Sequence, residues 1–297
     1  MFQEFKGYKE SQEYVSKIYK RYSEGYLHSD GYYYLGMYPQ TVLDDTSIIE
    51  ELNKLTEVNI NGYYEYDGKQ YAKLTAKSYE LKFSNGKDIV NDETYYFEVE
   101  LIKWTVLETI DNTLTLLTNM ILDQGYYNTS LESITVNDET IYSNNYEYST
   151  IRYLLNNRFY NQAFNDVAKS AISTSFIDNS AKPTIIIPNQ YVSNDTHDKI
   201  YLLSNHQARN IYYTANSKRR ATATDYAKAR YVFESNDYSF WWLRSPYDLE
   251  SGKAFCIGDN GDIYIGPVNT IDIGIRPALK IKIKWPPFKN NLRKAAI

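Results

Sequence analysis

Cysteine is almost absent from this chain: Cys256 is the only one in 297 residues. A single thiol excludes an internal disulfide and any cysteine-rich metal site. Cys256 lies in the apolar stretch Ala254–Ile257 and reads as a small buried hydrophobe. Histidine is nearly as scarce, and His28, His197 and His206 have no zinc-type spacing with another ligand. Ser204, His206 and Asp225 can be drawn as a triad, but no nucleophile elbow surrounds the serine. There is no phosphate-binding glycine loop. Apolar runs are short, so no membrane span is expected. The opening MFQEFKGYKESQEYVSKIYKRY has no apolar core of a Sec signal. With its initiator methionine, it leads to the expectation of a cytoplasmic, phage-borne or leaderlessly exported protein. Positive charge is also in deficit: the net charge of −5 argues against nucleic acid as a partner.

Tyrosine, by contrast, is abundant, with 32 copies running from Tyr8 to Tyr264. Each buries a large ring while keeping a polar tip, and tyrosine is the favoured contact residue of adaptable binding surfaces. An AT-rich genome explains the same excess, since Asn, Lys and Ile are abundant too. The two explanations are compatible.

Periodicity organises the chain into an N-terminal helical arm (1–27), one α+β domain (28–284) and a basic, proline-broken tail (285–297). Tyr14, Ile18 and Tyr22 lie four apart and predict a helix over 9–24. Gly31–Tyr38 reads as a strand ending at Pro39, and Asp44-Asp45-Thr46 as the cap of a following helix. Asp67-Gly68 marks a hairpin. Thr94–Leu107 alternates as a strand, pairing with Leu114–Leu117 across Asp111-Asn112. The polar stretch 125–148 reads as a long surface loop. Ser149 caps a helix with Ile151, Leu154, Leu155 and Phe159 on one face, and a second short helix follows over 161–172. Thr184–Pro188 and Lys199–Leu203 read as buried strands, and 205–230 as irregular and basic. Ala254–Ile257 and Ile263–Ile265 flank a tight turn at Gly258–Asp262, and Ile275–Ile283 forms the last strand. This order favours helices packed on a mixed, mainly antiparallel sheet.

Two closing segments stand out. One is Trp241-Trp242-Leu243-Arg244-Ser245-Pro246; the other is Gly274-Ile275-Arg276-Pro277-Ala278-Leu279. Together with the hairpin between them they resemble the signature of bacterial domain of unknown function family 6273. The likeness extends upstream to Gly36–Gln40, Ile102–Leu107, Ser149–Asn156, Leu202–Ser204 and Thr224–Ala227. That closing pattern is similar to the one in C-type-lectin-like domains, including the formylglycine-generating-enzyme-like branch, which implies a C-type-lectin-like scaffold. A copper-dependent oxidase of that branch needs a pair of cysteines, so the resemblance does not bring that activity here.

The structural signature is therefore Trp241, Arg244, Pro246, Gly274, Arg276 and Pro277. The two arginines read as buried side chains held by a carboxylate or by loop carbonyls, fixing the chain near the strand ends, because a guanidinium carries five donors. Asp259 and Asp262 are weak calcium candidates; a hairpin turn is the preferred reading, and neither a metal nor a cofactor is expected. Ligand contacts are expected from the two long loops: Tyr126, Tyr127, Tyr212, Tyr213, Arg219, Arg220 and Tyr226, with Trp242 beside them. The resulting expectation is a non-enzymatic binding protein that presents Tyr/Asn-rich loops to a protein or glycan. Two alternatives stand beside it. One is a structural subunit of a phage tail or export particle, or a homo-oligomer, assembling through the N-terminal arm. The other is an enzyme whose site lies near Arg244.

Overall fold

The computed structural model describes residues 25–184 and 188–283. The helix expected over 9–24, the C-terminal tail and most of the strand expected at 184–188 lie outside the described residues.

Strands β1 (Tyr26–Leu27) and β2 (Tyr33–Val42) open the fold. β2 runs through Pro39 rather than stopping there. The ladder to its neighbour shifts register between Tyr34 and Met37 and again between Pro39 and Val42. A residue without an N–H is tolerated at such an irregularity. Gly36 occupies the first one at φ +73°. A Cβ there would lie 2.5 Å from the Phe164 ring and 2.7 Å from the Ala163 carbonyl oxygen, so only glycine fits.

Asp45 caps the helix Thr46–Leu52, its carboxylate accepting from the amides of Ser47 and Ile48. β3 (Tyr64–Tyr66) and β4 (Lys69–Thr75) join at Asp67-Gly68, both left-handed as a tight hairpin requires. The central strand β5 (Thr94–Ile110) runs three residues past its expected end and turns at Asp111-Asn112 into β6 (Thr113–Thr118). β7 (Asp123–Gln124) follows.

The segment read as a surface loop is neither structureless nor wholly exposed. It holds the hairpin β8 (Ile134–Val136) and β9 (Glu139–Ile141), turning at the left-handed pair Asn137-Asp138. Its second half is largely buried, including Ser143, Asn144, Asn145 and Tyr146. Asn144 accounts for this, as its side-chain amide donates to the carbonyls of Tyr247, Glu250 and Lys253.

Ser149 caps a helix over 150–163 that contains a π turn at Leu155–Phe159. Asn156 on that turn clamps β13 (Ile200–Tyr201), which follows β10 (Ile172–Ser173), β11 (Ser175–Ile177) and β12 (Thr196–Asp198). Its carbonyl accepts from the amides of Lys199 and Ile200, and its amide donates to the Ile200 carbonyl. The second helix is shorter than expected, Asp166–Ala171, because Phe164 is extended and Asn165 caps the restart. The expected strand Lys199–Leu203 reduces to β13. The stretch 205–230 is not merely irregular: it carries a π turn at Gln207–Ile211 and short helices at Asn216–Arg219 and Asp225–Ala229. The chain then forms β14 (Glu234–Ser235), β15 (Tyr238–Ser239), β16 (Trp241–Pro246), β17 (Lys253–Ile257), β18 (Ile263–Pro267), β19 (Gly274–Ile275) and β20 (Ala278–Lys282).

Two sheets result. The larger runs β1-β2-β5-β6-β20-β10, with β13 also on β20 and the β3–β4 hairpin on β5. The smaller runs β18-β17-β16-β19-β7. Among the described strand pairs, only β16–β19 is parallel. One pair of chain segments crosses between the sheets: β6 leads into β7 while β19 leads into β20, with β6 against β20 and β7 against β19. A single apolar core spans both sheets, from Phe97 and Trp104 to Trp241, Trp242 and Leu279. A smaller one, Leu43, Leu52, Tyr71 and Tyr96, lies under the helix Thr46–Leu52. The protein is thus an α+β fold of mainly antiparallel sheets. No helix among the described residues is long and apolar enough to cross a membrane.

Candidate ligand-binding cleft

The signature residues build the corner between the sheets. Arg276 donates through Nε to the Thr118 carbonyl at 2.9 Å and through Nη2 to that of Asn119 at 3.3 Å. The Pro277 carbonyl accepts from the Thr118 amide at 3.0 Å. One arginine and one proline thus hold the point where β6 passes into β7. The Arg276 guanidinium sits 5.0 Å from the Trp241 ring centre. Burial pulls its pKa below the ordinary arginine value, with Tyr213 opposing. Gly274 has no room for a side chain: a Cβ would lie 2.4 Å from Ile121 and 2.9 Å from the Phe240 carbonyl.

Trp241 and Trp242 point to opposite faces of β16, and both are fully buried because the smaller sheet is covered on each side. Their indole N–H groups donate to the carbonyls of Arg219 and Gly125 at 3.0 and 2.9 Å. Trp242, expected beside the ligand contacts, therefore presents no ring face.

Arg244 is fixed by carbonyl oxygens. It donates to Asn179 Oδ1, the Leu202 carbonyl, Gln207 Oε1 and the Asp178 carbonyl at 2.6–3.2 Å. Asn179 passes the chain through Thr196 to Asp198, which pairs with Arg152 at 2.8 Å. Pro246 closes the strand, its carbonyl accepting from Asn189.

Trp241 also anchors the basic loop, since it holds the Arg219 carbonyl. The Arg219 guanidinium then reaches the carbonyls of Gly261 at 2.7 Å and Tyr213 at 2.8 Å, and the side chain of Asn216. Gly261 is at φ +81°, and a Cβ there would lie 1.9 Å from the Asn216 carbonyl oxygen, so the hairpin and the loop can meet only at glycine. Asp262 accepts from the side chains of Asn216 and Asn260. These bonds account for Asp262 as part of a turn. Among the described residues, no group of three or more His, Cys, Asp or Glu is placed to hold a metal.

Between this loop and the hairpin lies a cleft of about 700 Å³. Arg209, Asn210, Asn216, Arg219, Asp262 and Tyr264 supply its chemistry. Arg209 is exposed and makes no hydrogen bond or ion pair among the described residues. Burial first, and then the Arg209 charge, lower the Arg219 pKa, while Asp262 opposes. Tyr264 is 40% exposed with its ring resting on Phe240. The cleft thus offers the Arg209 guanidinium, the Asn210 amide and the Asp262 carboxylate beside an accessible aromatic ring.

Of the residues expected to contact ligand, only Arg219 lines this cleft. Tyr212 and Tyr213 are half-buried in the adjoining turn, and burial, then the Glu108 charge, push Tyr212 up to about 12. Arg220 stacks on Tyr238 at 4.5 Å. Tyr226 is buried between Tyr38 and Phe97. Tyr126 is partly exposed, but Tyr127 is fully buried and donates its hydroxyl to the Arg244 carbonyl at 2.8 Å. The two long loops therefore do not converge. Arg209 reads in the sequence only as the start of the basic run, and Asn210, Asn216 and Tyr264 are not singled out there. Tyr264 had a signal, as the polar-faced residue of an apolar strand beside a tight turn.

No triad forms. Ser204 Oγ accepts from the Gln207 amide, whereas Asp225 is committed elsewhere, to the Ser84 amide and hydroxyl at 2.7 Å and the Val42 amide at 3.1 Å. His197 packs against Phe176, and His28 lies beside Asp30. Cys256 is buried, which pushes its thiol pKa far up.

This is an α+β protein with a bent two-sheet core and a polar cleft on one flank. Residues 111–283, more than half of the chain, match the family model described as Domain of unknown function (DUF6273), and the chain belongs to that family. Comparison with curated proteins and with solved structures finds no match.

Proposed function

We propose that this protein is a non-enzymatic binding protein, carrying its contact loops on a C-type-lectin-like scaffold and taking a glycan or protein ligand in the cleft between the basic loop and the Gly258–Asp262 hairpin. The observation that carries the reading is the composition of that cleft. Arg209, Asn210 and Asp262, all exposed, offer donors and acceptors suited to hydroxyls, and Tyr264 offers a ring face. The scaffold reading draws support from adjacency: the tryptophan strand β16, the hairpin β17–β18 and the Gly-Ile-Arg strand β19 lie side by side in one sheet.

An enzyme centred on Arg244 needs a carboxyl with a raised pKa nearby. Burial acts to raise Asp178, but its hydrogen bonds with Ser180 and the Arg244 charge outweigh it, and its pKa is lowered. Assembly through the N-terminal arm, as in a particle subunit or homo-oligomer, stays a separate proposal. Light scattering of the full chain and of a version lacking 1–27 tests it: an oligomer lost on truncation sustains it, and a monomer in both forms removes it.

The direct test is a glycan and protein array probed with the wild-type chain and with an Arg209→Ala/Asn210→Ala variant. Both side chains are exposed, so the fold should be unaffected. Specific binding that falls at least about tenfold in the variant is the expected result. Binding that is unchanged in the variant, or no binding to any arrayed ligand, would overturn the assignment.

A further inference from the structure

A second cavity, of about 340 Å³, opens where Arg244 meets the π turn Gln207–Ile211. It is separate from the cleft above and shares no lining residue with it. Its floor is the Arg244 guanidinium, which is only 4% exposed. Every acceptor that holds Arg244 is a neutral oxygen, from a backbone carbonyl or a side-chain amide. Four of its five N–H groups are used in this way, and the second N–H on Nη2 is left over. Its charge is thus buried without a direct carboxylate partner. Two more cations, Lys182 and Lys280, line the walls, and neither makes an ion pair among the described residues. The only carboxylate in the lining is Asp178, already turned to the Ser180 amide at 2.9 Å.

Part of the lining is apolar. Phe176 and Ile211 stand 60% and 51% exposed at the rim, with Ile177 and Pro183 beside them. Exposed apolar side chains facing a cationic floor in a small concave site define an amphiphilic ligand. A volume at the lower end of small-molecule sites limits its body to a few carbon atoms beyond the charged group.

We propose that this cavity binds a small organic carboxylate with a compact apolar body, the carboxylate over Arg244 between Lys182 and Lys280 and the body against Phe176 and Ile211. The one remaining Nη2 N–H can donate to a single carboxylate oxygen, and the lysines neutralise the charge without needing a fixed angle. This site is independent of the proposed glycan or protein cleft, and either can stand without the other.

The test uses the full chain and three probes: N-acetyl-leucine, N-acetyl-leucinamide and inorganic phosphate, each titrated by calorimetry and by chemical shifts at His206, which lines the cavity. The acid should bind at least about tenfold more tightly than the amide, the equivalent of about 1.4 kcal/mol, and more tightly than phosphate. Lys280→Gln should weaken the acid several-fold without lowering the melting temperature, and Phe176→Ala should do the same. If Lys280→Gln proves unstable, Lys182→Gln, on an exposed position, replaces it. Arg209→Ala, in the other cleft, should leave acid binding unchanged. Equal affinity for acid and amide, equal affinity for phosphate, or indifference to both variants would each overturn the proposal.

Discussion

Arg276→Lys keeps the charge and removes the fork, and should destabilise the protein by about 2–3 kcal/mol. The native guanidinium makes one good hydrogen bond to Thr118, a longer one to Asn119, and a stacking contact with Trp241. A hydrogen bond from a charged donor contributes about 1.5–3 kcal/mol net, and a desolvated cation–π contact about 2 kcal/mol. A lysine ammonium is a point charge on a flexible stem. It can satisfy one carbonyl, but not both while also covering the indole. The cost of burying the charge stays, because the charge stays. Losing about half of the favourable interaction gives the stated deficit.

Urea unfolding followed by tryptophan fluorescence and near-ultraviolet dichroism is the assay. With a slope of about 2–3 kcal/mol/M, the midpoint should fall by roughly 1 M. Amide exchange at Thr118 and Leu122, whose N–H groups bond across the corner to Pro277 and Ile275, should speed up first. A midpoint within about 0.2 M of the wild type, with exchange unaltered, would refute the idea that the guanidinium fork holds the corner.

Three further outcomes are expected. Gly36→Ala forces a side chain into φ +73° and against Phe164 and Ala163, and should cost about 2 kcal/mol or more by thermal unfolding; a change below about 0.5 kcal/mol would mean β2 can re-bend at no cost. Burial raises Tyr33 and Tyr71 to about 12, and also pushes Tyr127 well up, so the neutral folded forms are favoured. This stability is fully present below the unfolded tyrosine value near 10 and is lost as pH rises through 12. Tyrosinate absorbance should then appear in two phases, the second coinciding with loss of dichroism; a single phase near pH 10 with the fold intact would contradict the burial. Cys256, buried with a raised pKa, should react with a thiol reagent at pH 8 at least about 1,000-fold more slowly than in urea; rapid labelling of the native chain would place it at the surface.

Local grammar was legible wherever one residue type has one geometric solution. Asp45 and Ser149 cap helices, Asp67-Gly68 turns a hairpin, and the alternation from Thr94 onward makes the longest strand. The misreadings came where distant contacts decide. Pro39 looks like a strand end until the register shift beside Val99 is known. The segment 125–148 is polar enough to look solvated, yet Asn144 is buried because three carbonyls from a region about 100 residues away converge on its amide. Tyr127, Tyr226 and Trp242 illustrate the same point for the site. Composition marks an aromatic as a contact residue, but only packing says whether its face is free.

The cleft was half-legible for a related reason. The basic run and the Gly258–Asp262 turn were each visible as segments, but their meeting depends on Gly261 accepting the Asn216 backbone, a contact across 45 positions that no local pattern encodes. The signature, meanwhile, points elsewhere. Trp241, Trp242, Arg244 and Arg276 all spend donors on carbonyl oxygens of other segments, and Gly274 is required by the side chain of Ile121. A motif built this way specifies a corner and the strands that meet there. What it leaves variable is the chemistry hung on that corner: the Arg209–Tyr264 cleft on one side and, where Arg244 has one donor to spare, the lysine-lined cavity on the other. Ligand choice should therefore respond to substitution at Arg209, Asn210 and Lys280, while substitution in the signature should register first as lost stability.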